Sequence, residues 1–85
     1  MKQKIQTQKS KDFLSSVNLN RIYQVINRIN FNSRERIIID YILDKKTIKE
    51  MSIELNLSLS YIASLKQEIY RKIYIYLELE KNNQL

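Results

Sequence analysis

The stretch Thr47-Ile48-Lys49-Glu50-Met51-Ser52-Ile53-Glu54-Leu55-Asn56-Leu57-Ser58-Leu59-Ser60-Tyr61-Ile62 decides the fold. Thr47-x-x-Glu50 is a capping box: the threonine hydroxyl can accept from the amide three residues on, while the carboxylate reaches back to the amide of Thr47. It opens a short helix over 47–55, with Ile48, Met51 and Leu55 inward. Asn56 follows where a left-handed residue is wanted, and asparagine tolerates that conformation better than other residues with a Cβ. Leu57 then packs, and Ser58 caps a further helix over 58–79. Its stripe is Ile62, Leu65, Ile69, Ile73 and Tyr76, at steps of three and four. The run Ile73-Tyr74-Ile75-Tyr76-Leu77-Glu78-Leu79 also alternates as a strand would. Helix is the reading retained, because a lone strand leaves its backbone groups unpaired.

Towards the N-terminus, Ser33 is read as the cap of a helix over 33–44 whose Ile38, Ile39, Ile42 and Leu43 form a broad inward face. Asp44, Lys45 and Lys46 supply the turn that follows it. Before it, Leu19, Ile22, Ile26 and Ile29 make one apolar stripe, predicting a helix over 17–29. Residues 1–12 carry Lys2, Lys4, Lys9 and Lys11 against Asp12 and read as a disordered basic arm. The expectation is an all-α, four-helix domain over 13–85.

Composition agrees with that class. The 85 residues make one small domain, and with 0 Gly and 0 Pro neither Gly-rich phosphate loops nor tight Gly-dependent hairpins are available. With 0 His and 0 Cys, zinc fingers, disulfide scaffolds and His-based general bases are excluded. The remaining carboxylates are scattered over amphipathic helices and no nucleophile sits beside a base, so the chain is not read as an enzyme and no cofactor, metal or small-molecule substrate is expected. No apolar run approaches the roughly 20 residues of a membrane span, and the polar start lacks a signal segment, so a cytoplasmic protein is expected. Fifteen Lys and Arg against nine Asp and Glu give +6, which favours an anionic partner. Ile, Asn and Lys are all abundant, as in an AT-rich coding sequence, so lysine position carries more weight than lysine number.

Two short helices separated by about three residues, with the small Ser52 near their crossing, form a helix-turn-helix whose second helix can enter a DNA major groove. Arg34-Glu35-Arg36, Ile38-Ile39, Thr47-x-x-Glu50-Met51-Ser52, Leu55-x-Leu57-Ser58, Ile62-x-x-Leu65 and Arg71-Lys72-Ile73 together resemble region four of bacterial sigma factors, without a gap from about Leu19 to Leu77. That resemblance implies a transcription factor that binds promoter DNA at the −35 element. Residues 31–73 are also similar to the LuxR/GerE-type effector domain, a homodimeric regulator. A helix before Arg34, apolar Leu65 and an unbroken run to Leu79 favour the sigma-like reading. Leu59, Ser60 and Tyr61 stand where the sigma family commonly has Arg and Glu, and Ala63-Ser64 replaces an Arg-Gln pair. The bidentate arginine-to-guanine contact is therefore missing. A protein-interaction module of the anti-sigma or adaptor kind is the reading that this weak recognition helix supports instead.

The candidate DNA contacts are Lys45, Lys46 and Lys49 around the start of the third helix, and Ser58, Ser60, Tyr61, Ser64, Lys66, Gln67 and Arg71 on the recognition helix. Solvated turn lysines and an ordinary exposed helix face are the plain alternatives. Arg34 and Arg36 could touch phosphates or join a surface network with Glu50 or Glu54. By the sigma resemblance, Leu19, Ile22, Tyr23 and Ile26, with Ile39, would line a groove for the flap of the RNA polymerase β subunit. Tyr76, in the apolar run 74–79, would serve a homodimer or pack on the first helix.

Overall fold

The computed structural model describes residues 2–16 and 18–83, and side chains from Ile5 onward. It contains five helices and, among the described residues, no strand: α1 (Lys2–Leu14), α2 (Leu19–Ile29), α3 (Ser33–Leu43), α4 (Ile48–Leu55) and α5 (Leu59–Lys81). The all-α expectation and the last four helices agree with this, including the helical reading of 73–79. The expectation of a disordered arm does not: most of 1–12 lies in α1 and packs on α5. Ser10 explains how. It is fully buried, and its hydroxyl donates to the Tyr70 carbonyl at 2.6 Å, so two helices cross where one side chain is small.

Local caps set the boundaries. Asn18 caps α2 by accepting from the Arg21 amide at 3.1 Å, and Asn30, at φ 65°, ends it in the left-handed region. The cap of α3 is Asn32 rather than Ser33. Its Oδ1 accepts from the Glu35 amide at 2.8 Å while Glu35 accepts from the Asn32 amide at 3.0 Å, a second capping box one residue earlier than expected. The box at Thr47 and Glu50 forms as the sequence predicts, with bonds of 3.1 and 3.0 Å. Asn56 sits at φ 56°, ψ 45° between α4 and α5, and the Ser58 hydroxyl accepts from the Tyr61 amide at 3.1 Å. Ser52 closes the turn: its hydroxyl donates to the Leu57 carbonyl at 2.5 Å, and its carbonyl accepts from the Leu57 amide at 3.2 Å.

α5 is the hub on which α1, α2, α3 and α4 all pack. The core holds the expected Ile22, Ile26, Ile38, Ile39, Met51, Ile62 and Ile69, with Ile42, Leu55, Leu57 and Leu65 partly buried against it. Leu14, Phe31, Tyr70 and Ile73 join them. Polar ties reinforce the hub: Lys9 approaches Glu78 at 3.6 Å, Arg21 pairs with Glu80, and Lys72 contacts the buried Glu35 at 2.8 and 3.0 Å.

Candidate nucleic-acid interface

The α4-turn-α5 unit presents Ser60, Tyr61, Ser64 and Gln67 to solvent, as their three-to-four spacing predicts, together with Leu59. The Tyr61 ring lies beneath the Arg34 guanidinium, 5.8 Å from ring centre to carbon, so α3 supplies a cation next to the start of α5. Further along, Ser64 and Gln67 border a shallow groove of about 180 Å³ shared with Glu68, Arg71 and α1's Gln6 and Thr7. Ser58, expected as a contact, spends its hydroxyl oxygen on the cap of α5.

The cations divide into two groups. Lys46 lies 3.9 and 4.0 Å from Glu50 and Glu54. Arg71 is bound by Glu68 through both Nε and the terminal nitrogen. That bond holds the Glu68 carboxyl below its ordinary value and raises the Arg71 guanidinium. Lys45 and Lys49 are exposed and have no acid partner among the described residues. Lys66 is partly buried, its ammonium 5.9 Å from the Tyr70 ring centre. Burial, and then the positive charge of Lys11, push its pKa down.

The N-terminus of α4 offers less to a phosphate than the sequence suggests. The Glu50 carboxylate already occupies it, held below the ordinary carboxylate range chiefly by the Thr47 backbone N–H. The sequence reading left Lys11 in a disordered basic arm, with nonspecific phosphate attraction as the alternative to a solvated tail; the structure sets it on α1 beside Tyr70. Tyr70, between Lys11 and Lys66, was the signal that could have marked it, as a bulky aromatic off the assigned stripe.

The expected partner residues separate by burial. Leu19 and Tyr23 are exposed, while Ile22 is wholly buried and Ile26 nearly so. Ile22 is therefore a core residue and not a docking contact. Tyr23 and the edges of Ile26 and Ile39, with Asn27, Arg36 and Asp40, line a groove of about 230 Å³ between α2 and α3. The Arg36 guanidinium donates to Asn27 Oδ1 at 2.5 Å across it, instead of joining Glu50 or Glu54. Tyr76 is likewise buried, its hydroxyl without a hydrogen-bond partner among the described residues. It belongs to the packing between α2 and α5, which leaves Ile75 as the exposed apolar residue there.

Among the described residues, no group of three or more Asp and Glu is arranged to hold a metal ion, and no helix is long and apolar enough to cross a membrane. Compared with protein-family models, with curated proteins and with solved structures, the chain finds no match in any of the three.

Proposed function

We propose that this chain is a cytoplasmic DNA-binding transcription factor of the sigma-region-four kind, acting at promoters beside RNA polymerase. The observation that carries the reading is the α4-turn-α5 unit: Ser52 and Asn56 fix the turn, and α5 leaves Ser60, Tyr61, Ser64 and Gln67 exposed along one face. Lys45 and Lys49 flank that unit without acid partners among the described residues. Serine, tyrosine and glutamine hydrogen-bond to phosphates and base edges, and the lysines supply sequence-independent attraction. Specificity from this face alone is modest, because Arg71 is held by Glu68 and Arg34 reaches the face only through its stack on Tyr61. The exposed Leu19 and Tyr23 and the α2/α3 groove are the proposed docking site for the β-subunit flap, which would hold the weak DNA contact at the promoter.

The test is fluorescence anisotropy of a labelled promoter-length duplex across a salt series, repeated with purified RNA polymerase. Salt-sensitive binding that tightens when polymerase is present is the expected result. A second reading, the protein-interaction module, rests on a specific observation: Ile53 is 72% exposed and Leu59 53% exposed, so the leading edge of the unit is unusually apolar. Association with polymerase but no salt-dependent duplex binding would select it.

A further inference from the structure

We infer that Lys11, Lys45 and Lys66 form one phosphate-binding site for the DNA backbone, which α1 completes by bringing Lys11 to the helix-turn-helix. The inference rests on the DNA-binding reading above and adds a site and an element to it. Lys11 and Lys45 line a cavity of about 150 Å³ with Leu14, Ser15, Ile42, Leu43 and Tyr70. Lys66 stands beside that lining, its ammonium 5.9 Å from the centre of the Tyr70 ring and near enough to Lys11 to feel its charge. Three positive side chains from three segments distant in sequence thus gather around one tyrosine, and no acidic side chain lines the cavity among the described residues. Five cations elsewhere in the fold meet carboxylates: Lys9 with Glu78, Arg21 with Glu80, Lys46 with Glu50 and Glu54, Arg71 with Glu68, Lys72 with Glu35.

Two further observations show that this grouping is not costless. Lys66 and Lys11 repel each other strongly enough to lower the Lys66 pKa beyond the effect of burial. Lys45 sits at φ 60°, where asparagine is favoured over lysine. Among the described residues, the other three positions with positive φ, at 30, 56 and 83, are all asparagine. Among the described residues, the one left-handed position that borders the cavity thus holds a cation, at a backbone cost that asparagine would lower. The two non-bridging oxygens of a backbone phosphodiester fit such a cluster, accepting from ammonium groups while their shared negative charge offsets the repulsion.

The experiment uses the full chain and a duplex of about 20 base pairs at low salt, with circular dichroism to check each variant's fold. Lys11→Ala and Lys45→Asn each weaken binding by about 3- to 10-fold and lower the salt slope by about 1. The double variant loses less than the product of the two, because both lysines serve one phosphate. Lys45→Asn should also melt no lower than the parent, so its binding loss is not a folding defect. Heteronuclear NMR of the Lys66 side chain should show its pKa rising when duplex binds. Lys81→Ala, at the far end of α5, leaves affinity unchanged to within about twofold. If the parent binds duplex and Lys11→Ala and Lys45→Asn bind as tightly, the site is overturned while the DNA-binding reading stands. If the parent binds no duplex, both fall; binding instead to phosphatidylglycerol vesicles through these lysines assigns the cluster to lipid and overturns the inference.

Discussion

Glu35 takes part in two structures at once, and its position 2% exposed to water shows why neither suffices alone. Its carboxylate closes the capping box with Asn32 and also receives Lys72 at 2.8 and 3.0 Å, so the start of α3 is tied to the middle of α5. Glu35→Ala should cost about 2–4 kcal/mol by urea denaturation, since it strips the cap and leaves a half-buried ammonium without its anion. Glu35→Gln should cost clearly less, because glutamine still accepts from the Asn32 amide. Equal losses for the two would mean that the charge, and not the cap, dominates. Two exposed carboxylates make stability depend on acid. Hydrogen bonds from Thr47 lower the Glu50 pKa, and the Arg71 side chain lowers that of Glu68. A carboxylate whose folded value lies below its unfolded one adds stability above the unfolded pKa and loses it as pH falls through the folded one. The melting temperature should therefore hold from neutrality to about pH 5 and decline below it, and Thr47→Ala should lower it more at pH 7 than at about pH 3.

Helices α2 to α5 were legible because each carries an apolar stripe at steps of three and four, bounded by side chains suited to caps. α1 was not legible. Its apolar residues Ile5, Phe13 and Leu14 make no such stripe, and the residue it buries most deeply at the crossing is Ser10. A small polar side chain reads as surface until its neighbour is known; here the neighbour is a carbonyl 60 residues away. The same limit applies to the interface. The exposure of Ser60, Ser64 and Gln67 follows from helical period, whereas the capture of Lys72 by Glu35 joins residues 37 apart and follows from packing alone. The α3 cap moved by one residue because Asn32 and Ser33 are both good caps; the deciding signal was Glu35, three after Asn32. For α1 the crossing yields a direct test. Ser10→Ala should cost about 1 kcal/mol, the net worth of one hydrogen bond, while Ser10→Leu should overpack the crossing and cost about 1–3 kcal/mol. Amide exchange should then rise through α1 in the Leu variant while α3 and α4 keep their protection. Unchanged exchange in α1 would contradict close packing at Ser10.

At the scale of the whole molecule, the count of 15 Lys and Arg overstates what a DNA backbone can use, because Lys46, Arg71 and Lys72 already have acid partners. Lys11, Lys45, Lys49 and Lys66, with Arg34 over Tyr61, remain near the α4-turn-α5 unit, and about four to five phosphate contacts would give a slope of the logarithm of affinity against the logarithm of salt of about −4. A slope near zero would favour the interaction module. Under the proposed function, so shallow a dependence would leave free-DNA affinity low, and promoter choice would turn on what tethers the protein. Two surfaces compete for that role. Tyr23, 45% exposed on the α2/α3 groove, serves the proposed polymerase docking; Ile75, 41% exposed on α5, serves a homodimer of the LuxR-like kind. Both accept a charge without opening the core, unlike the buried Ile22 and Tyr76. If polymerase is the tether, Tyr23→Glu should lose the tightening that polymerase gives and keep the free-duplex affinity, while Ile75→Glu changes neither. If a dimer is the tether, Ile75→Glu should halve the mass measured by light scattering and weaken duplex binding with it, and Tyr23→Glu should have no effect. Tethering raises the local concentration at the promoter to the millimolar range, so the predicted loss is roughly 100-fold or more for whichever variant cuts the tether. A contact surface that merely decorates the fold would not produce a change of that size.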